Sequence, residues 1–298
     1  MTDLSATLTT IAELYFRRRF YIGVMNKQTN AGKALVRRAL GQEWDDSEES
    51  REKSSKRASG IVDLALKGKP QKAADADIAQ VVGADLAVIA AGLEPYQAAR
   101  HQIELELARA ARKLPIAPWQ KSVWGFRELW SAAILGETGN LSNYSNPGKV
   151  WSRMGLAPYN GQAYSQWRKK GGLTADEWTD AGYVPRRKSV MFVVGGGLIG
   201  CMSHGPRPFV GEDISKRDDL SPYQKLFVNR LRYEAARNPE MKRPDTEEGK
   251  ESYSKHAAFR AQRIVEKQFL KDLWIEWRRV VDGVQPKPWE EPPQRIAA

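Results

Sequence analysis

Three glycines raise the first chemical question. After the apolar run Val190-Met-Phe-Val-Val194, glycines stand at 195, 197 and 200, the G-x-G-x-x-G spacing with which a dinucleotide fold cradles a pyrophosphate. That cradle also needs a helix starting at the third glycine and an acid about twenty residues on, at the end of a second strand. Here Gly200 is followed by Cys-Met-Ser-His-Gly-Pro-Arg-Pro, and prolines 206 and 208 leave no room for the helix. Glu212 and Asp213 fall in a loop. Residues 190–200 are therefore expected to be an apolar element of the core, with glycines that allow close packing or approach to a phosphate backbone. The other local patterns are weaker. Thr29-Asn-Ala-Gly-Lys33 lacks the first glycine and the hydroxyl residue of a P-loop, and Cys201-x-x-His204 is half a zinc site in a chain with one cysteine and three histidines. Glu104 and Glu106 are two apart on a helix and do not share a face. No cofactor is expected in this chain.

The elements that must position any site read as mainly helical. Leu4, Leu8, Ile11, Tyr15, Ile22 and Met25 fall on one face of an N-terminal amphipathic helix with the potential to pair. Residues 42–60 lose that period, run from acidic to basic, and read as a solvated linker. Helical spacing returns over 73–91 and again over 95–114, a coiled-coil-like region. A last helix is expected near the C-terminus, with Ala261, Val265, Phe269, Leu273 and Trp277 in one row and Leu270 and Trp274 in the next. On its polar face, Lys255, Arg260, Arg263, Lys267, Lys271, Arg278 and Arg279 read first as solvated charge. The expected organisation is 1–60 (helix and charged linker), 61–114 (coiled-coil-like), 115–282 (a compact helical domain) and 283–298 (a Pro-rich tail).

Composition narrows the function. With 298 residues, 41% of them hydrophobic, and ten tryptophans, the chain can bury a sizeable core. Forty-seven Lys and Arg against thirty-six Asp and Glu leave a net charge of +11, which points to a polyanionic partner. No apolar run of the length that spans a bilayer stands out, and the first residues are not a secretion signal, so no membrane and a cytoplasmic location are expected. Six tryptophans lie between 119 and 178, interleaved with Gly, Asn, Ser and basic residues, a pattern of either a compact core or a surface that meets nucleic acid.

One segment carries a signature. The turn Val123-Trp-Gly-Phe-Arg127 opens the small-residue run Ala132-Ala-Ile-Leu-Gly-Glu-Thr-Gly139; a polar stretch follows, and then Gly155-Leu-Ala-Pro158. Downstream come Ser221-Pro-Tyr-Gln-Lys-Leu-Phe227 and a helix through Ala258, Arg260, Lys267 and Leu270-Lys-Asp-Leu-Trp274. This order resembles the C-terminal transposase domain of the pilin-gene invertase and insertion-sequence transposase family, over residues 115–279. The resemblance implies a helical domain with a helix-hairpin-helix, in which Gly125, Phe126 and Arg127 meet DNA phosphates. It also implies a serine nucleophile shortly after Gly-Leu-x-Pro. Ser165 is the positional candidate, although Gln166 stands where the family has glycine. Arg168, Lys169 and Lys170, and then Arg186, Arg187 and Lys188, are the basic blocks expected on DNA.

Family members add an N-terminal resolvase-like domain with four metal-binding acids. Residues 1–60 contain no hydrophobic strand ending in an aspartate, so that domain is not expected in them, and Mg²⁺ is expected only if a partner chain brings the acids. The leading expectation is a DNA-binding, transposase-like protein of a mobile element. The alternatives are an active serine recombinase completed by a nuclease-like partner subunit, and a non-catalytic helical assembly protein of a phage or mobile element. A structured guide RNA, implied by the resemblance alone, and self-association complete the expected partners.

Overall fold

Helices dominate the computed structural model, which describes residues 3–43, 46–158, 174, 176–177, 184–200, 206–245 and 248–285. The helices are α1 (Leu4–Ala39), α2 (Glu48–Ala65), α3 (Ala76–Ala111), α4 (Ala117–Ser122), α5 (Glu128–Thr138), α6 (Pro147–Arg153), α7 (Pro185–Ile199), α8 (Pro222–Arg237) and α9 (Lys255–Val281). Two-residue strands β1 (Lys242–Arg243) and β2 (Ser252–Tyr253) pair antiparallel between α8 and α9. The expected mainly α class is what the chain adopts. It divides into two compact units, Glu13–Glu106 and a larger one made of Met1–Ala12 with Leu107–Ala298.

In the smaller unit the charged stretch expected to be a linker is a helix. Ser47 caps α2 by accepting from the Ser50 N–H at 3.2 Å, and Glu48 and Glu49 lie at the positive end of the helix. The acidic-then-basic order places Glu49 and Glu52 each four residues before a lysine, Lys53 and Lys56. Such exposed pairs contribute only about 0.3–0.5 kcal/mol each. The decisive contribution is the burial of Ala58, Ile61 and Val62 against Val36, Val82 and Leu86. α3 likewise runs straight through Pro95, where two helices were expected; the missing N–H there costs one main-chain bond. Arg18 of α1 donates to Glu104 of α3 at 2.7 Å, and Tyr21 meets Tyr96, so these two helices pair.

Over Ala73–Ala111 a stretch reaches a mean hydropathy of 1.6, long and apolar enough to cross a bilayer by length and composition. Only the expectation that no apolar run of this length stands out is changed by it. Asp85 and Glu94 split the run into shorter apolar pieces, while alanines keep its average high. Most of the stretch is exposed, including Val81 and Val88.

The larger unit is built around α9. Its row of Ala261, Val265, Phe269, Leu273 and Trp277 is buried, as expected from the spacing, and α6, α7 and α8 pack on it. Phe269 also gathers Trp119, Phe126 and Tyr223 into one aromatic cluster, with 4.6 Å between the Phe126 and Phe269 ring centres. Each buried indole finds an acceptor for its N–H. Trp151 donates to the Lys267 carbonyl at 2.9 Å, Trp274 to the Tyr144 carbonyl at 2.9 Å, and Trp277 to Asn140 and Ser142 at 3.1 Å. Of the six mid-chain tryptophans, Trp119, Trp130 and Trp151 therefore serve packing, Trp124 is half exposed, and Trp167 and Trp178 lie outside the described residues.

The glycine-rich run that opened the sequence question is the second half of helix α7. A Cβ at Gly195 would stand 2.7 Å from Cγ of Glu266, and one at Gly197 would stand 1.9 Å from the Trp130 ring. These glycines let α9, Trp130 and the 123–127 turn approach the α7 backbone. Close packing was expected of them. The apolar run before them is helical as well: Pro185 starts the helix at N1, and Met191 and Val194 are buried while Val193 faces out.

Candidate nucleic-acid interface

Near the end of α5, Glu137 is buried with its side chain 2% exposed, a place where a carboxylate must be paired. The pairing comes from the first turn of α7. Arg186 binds both carboxylate oxygens, Nε to Oε1 at 2.6 Å and Nη2 to Oε2 at 2.9 Å, and Arg187 adds Nε to Oε2 at 3.2 Å. Arg153, at the end of α6, donates to the Glu137 carbonyl at 3.0 Å. Burial and the charge of Arg153 pull the Arg187 guanidinium below its ordinary pKa, and Glu137 opposes them. Beside this clamp the Tyr144 hydroxyl donates to the Thr138 carbonyl at 2.9 Å, and burial raises the pKa of its phenol.

The first turn of α7 thus holds three consecutive cations and no acid, the sign that a helix dipole disfavours at its N-terminus. Glu137 offsets two of them. The third, Lys188, lines a pocket of about 230 Å³ together with Arg263 and Lys267 of α9 and the turn Gly155-Leu-Ala-Pro158. Gly155 has a φ of +72° just past the end of α6, and the Leu156 N–H returns to the Trp151 carbonyl at 2.9 Å. A left-handed residue of this kind closes a helix and turns the chain sharply, which swings residues 156–158 over to the pocket. The Lys267 ammonium lies 5.2 Å from the Trp151 ring centre.

Beside these cations Glu266 is buried between α7 and α9, where it accepts from Gln262 at 2.9 Å. Burial pushes its carboxyl up to about 7, against the Gln262 hydrogen bond and the charges of Arg263 and Lys188. The native state therefore holds this proton over a range where the unfolded chain, titrating near 4.5, has released it. The contribution of Glu266 to stability is full below about pH 4.5 and is lost as pH rises to about 7, by up to about 3 kcal/mol. Urea unfolding at intervals across this window should show Glu266→Gln relieved of that loss; a parallel decline in the variant would contradict the assignment.

The sequence candidates separate accordingly. Arg127 is exposed, and Lys188 lines the basic pocket. Phe126 is 5% exposed in the aromatic cluster and makes no surface contact, and its N–H already donates to the Val123 carbonyl at 3.2 Å. Gly125 faces the backbone of α7. Arg186 and Arg187, expected on DNA, are both held by Glu137, with Arg187 only 11% exposed. Ser165, Arg168, Lys169 and Lys170 lie outside the described residues. Glu137 and Arg153 had no signal in local spacing, and Arg263 and Lys267 were read as a solvated face. A lone acid inside a small apolar run was the available clue to Glu137, since burial there demands a partner.

A larger cavity of about 700 Å³, between the 119–124 and 218–226 segments, is lined by Trp119, Trp124, Tyr223 and three aspartates, Asp218, Asp219 and Asp272, without a lysine or arginine. Its charge has the wrong sign for a phosphate. Among the described residues no three His, Cys, Asp or Glu side chains group to hold a metal, and Glu137 and Glu266 are both engaged within the fold. Comparison of the chain with protein-family models, with characterised proteins and with solved structures found no match.

Proposed function

We propose that this chain is a DNA-binding, transposase- or recombinase-like protein that grips backbone phosphates through its larger unit. The observation that carries this reading is where the charge resides. Glu13–Glu106 holds fifteen Lys and Arg against fourteen Asp and Glu, so nearly all of the +11 falls on the unit that also carries the transposase-like blocks. Phosphate contacts release counterions, and log K falls against log salt by roughly 0.9 for each contact on duplex DNA. Anisotropy titrations of a short labelled duplex should therefore give a slope of about −3 or steeper. A slope near zero removes the reading and favours a helical assembly protein.

A second reading, an active recombinase completed by a partner chain, rests on the place of Ser165 seven residues beyond Pro158, which lines the basic pocket. Strand cleavage in the presence of an acid-supplying partner and Mg²⁺ should disappear in Ser165→Ala. Equal cleavage by the variant would take Ser165 out of the mechanism.

A further inference from the structure

We propose that Lys188, Arg263 and Lys267, with the Gly155-Leu-Ala-Pro158 turn, form a subsite that holds one phosphodiester of a nucleic-acid strand. This rests on the nucleic-acid reading and gives it an address. Three independent features of the pocket support the assignment. Its volume, about 230 Å³, falls below the roughly 300–1,000 Å³ of pockets that enclose whole small molecules, so it suits a single group. Its cations come from two helices and converge, while the remaining lining is glycine, leucine, alanine and proline, which brings no competing carboxylate. Lys188 also belongs to the first turn of a 15-residue helix that has no acid there, so the dipole adds to the attraction for an anion.

The interior acid nearest the pocket feels the Arg263 and Lys188 charges but does not line it. Glu266 is turned into the α7–α9 interface, against the position of Gly195 and the Gln262 amide. No ion pair engages Arg263 among the described residues, in contrast with Arg260, Arg278 and Arg279 on the same helix, which reach Glu234, Asp282 and Glu276. A guanidinium beside two ammonium groups is an arrangement that can fork onto phosphate oxygens.

Phosphodiesters of DNA and RNA share this chemistry, so the test has two arms. The full chain, Arg263→Gln, Lys188→Gln and the charge-conserving Arg263→Lys are titrated against a short duplex DNA and against an RNA hairpin, at several salt concentrations. Lys53→Gln, on the exposed face of α2, serves as the control. In the arm that uses the subsite, each Gln variant should reduce the salt slope by about 1, while Arg263→Lys and Lys53→Gln keep it. If the wild type binds with a steep slope in either arm and the Gln variants keep that slope, the subsite is wrong and the nucleic-acid reading stands. If the wild type binds neither probe, both fall. Circular dichroism melting of each variant shows that the folds compared are the same, and Arg263→Lys separates lost charge from lost packing.

Discussion

Glu137→Ala should destabilise the larger unit by about 3 kcal/mol or more, because it leaves the Arg186 and Arg187 charges without their carboxylate. The pair itself contributes little over a well-packed apolar substitute, and the cost lies in the stranded cations. The ordering of variants follows from the geometry. Arg187→Met keeps the two-bond Arg186–Glu137 contact and should cost less. Glu137→Met combined with Arg187→Met should recover part of the loss, since only the more exposed Arg186 then lacks its acid. Urea unfolding followed by tryptophan fluorescence reads this unit selectively, because nine of the ten tryptophans lie outside Glu13–Glu106. An unchanged transition in Glu137→Ala would show that the clamp is not structural.

Gly125→Ala should cost more still, for a different reason. The residue has a φ of +77°, which costs an alanine about 1–2 kcal/mol by itself. Its Cβ would also stand 2.3 Å from the Gly197 carbonyl oxygen, a backbone atom inside α7 that has no rotamer to adopt. Gly211→Ala provides the comparison, with a φ of +75° and nothing within 4 Å, and should show the conformational cost alone. The Gly125 variant is expected to lose at least about 4 kcal/mol, the range reserved for strain or overpacking in a core. Equal effects at 125 and 211 would mean that the 123–127 turn does not press against α7.

Much of the fold was legible from periodicity, and the reasons for the misses are local. The rows of α9 could be read directly because large apolar residues recur every four positions, and all of them are buried. α2 was hidden by its charges, whose spacing at four residues matters more than their density. Residues 190–200 resemble a strand until their partners are known, since a helix that packs on several sides needs no polar stripe. The candidate site was less legible. Lys188 and Arg263 are seventy-five residues apart, and Glu137 meets Arg186 across forty-nine, so only the packing of α5, α6, α7 and α9 brings them together. Arg186 and Arg187 show the limit of reading a basic block by composition. Of three consecutive cations, two hold the core and one lines the pocket.

The most direct test of where this protein grips a phosphate backbone is lysine acetylation footprinting of the full chain with and without duplex DNA. Lys188 and Lys267 should be protected when DNA is bound, while Lys53 and Lys56, on the exposed face of α2, are modified at unchanged rates. Protection spread equally over both units, or none at Lys188 and Lys267 while DNA is bound, would contradict it.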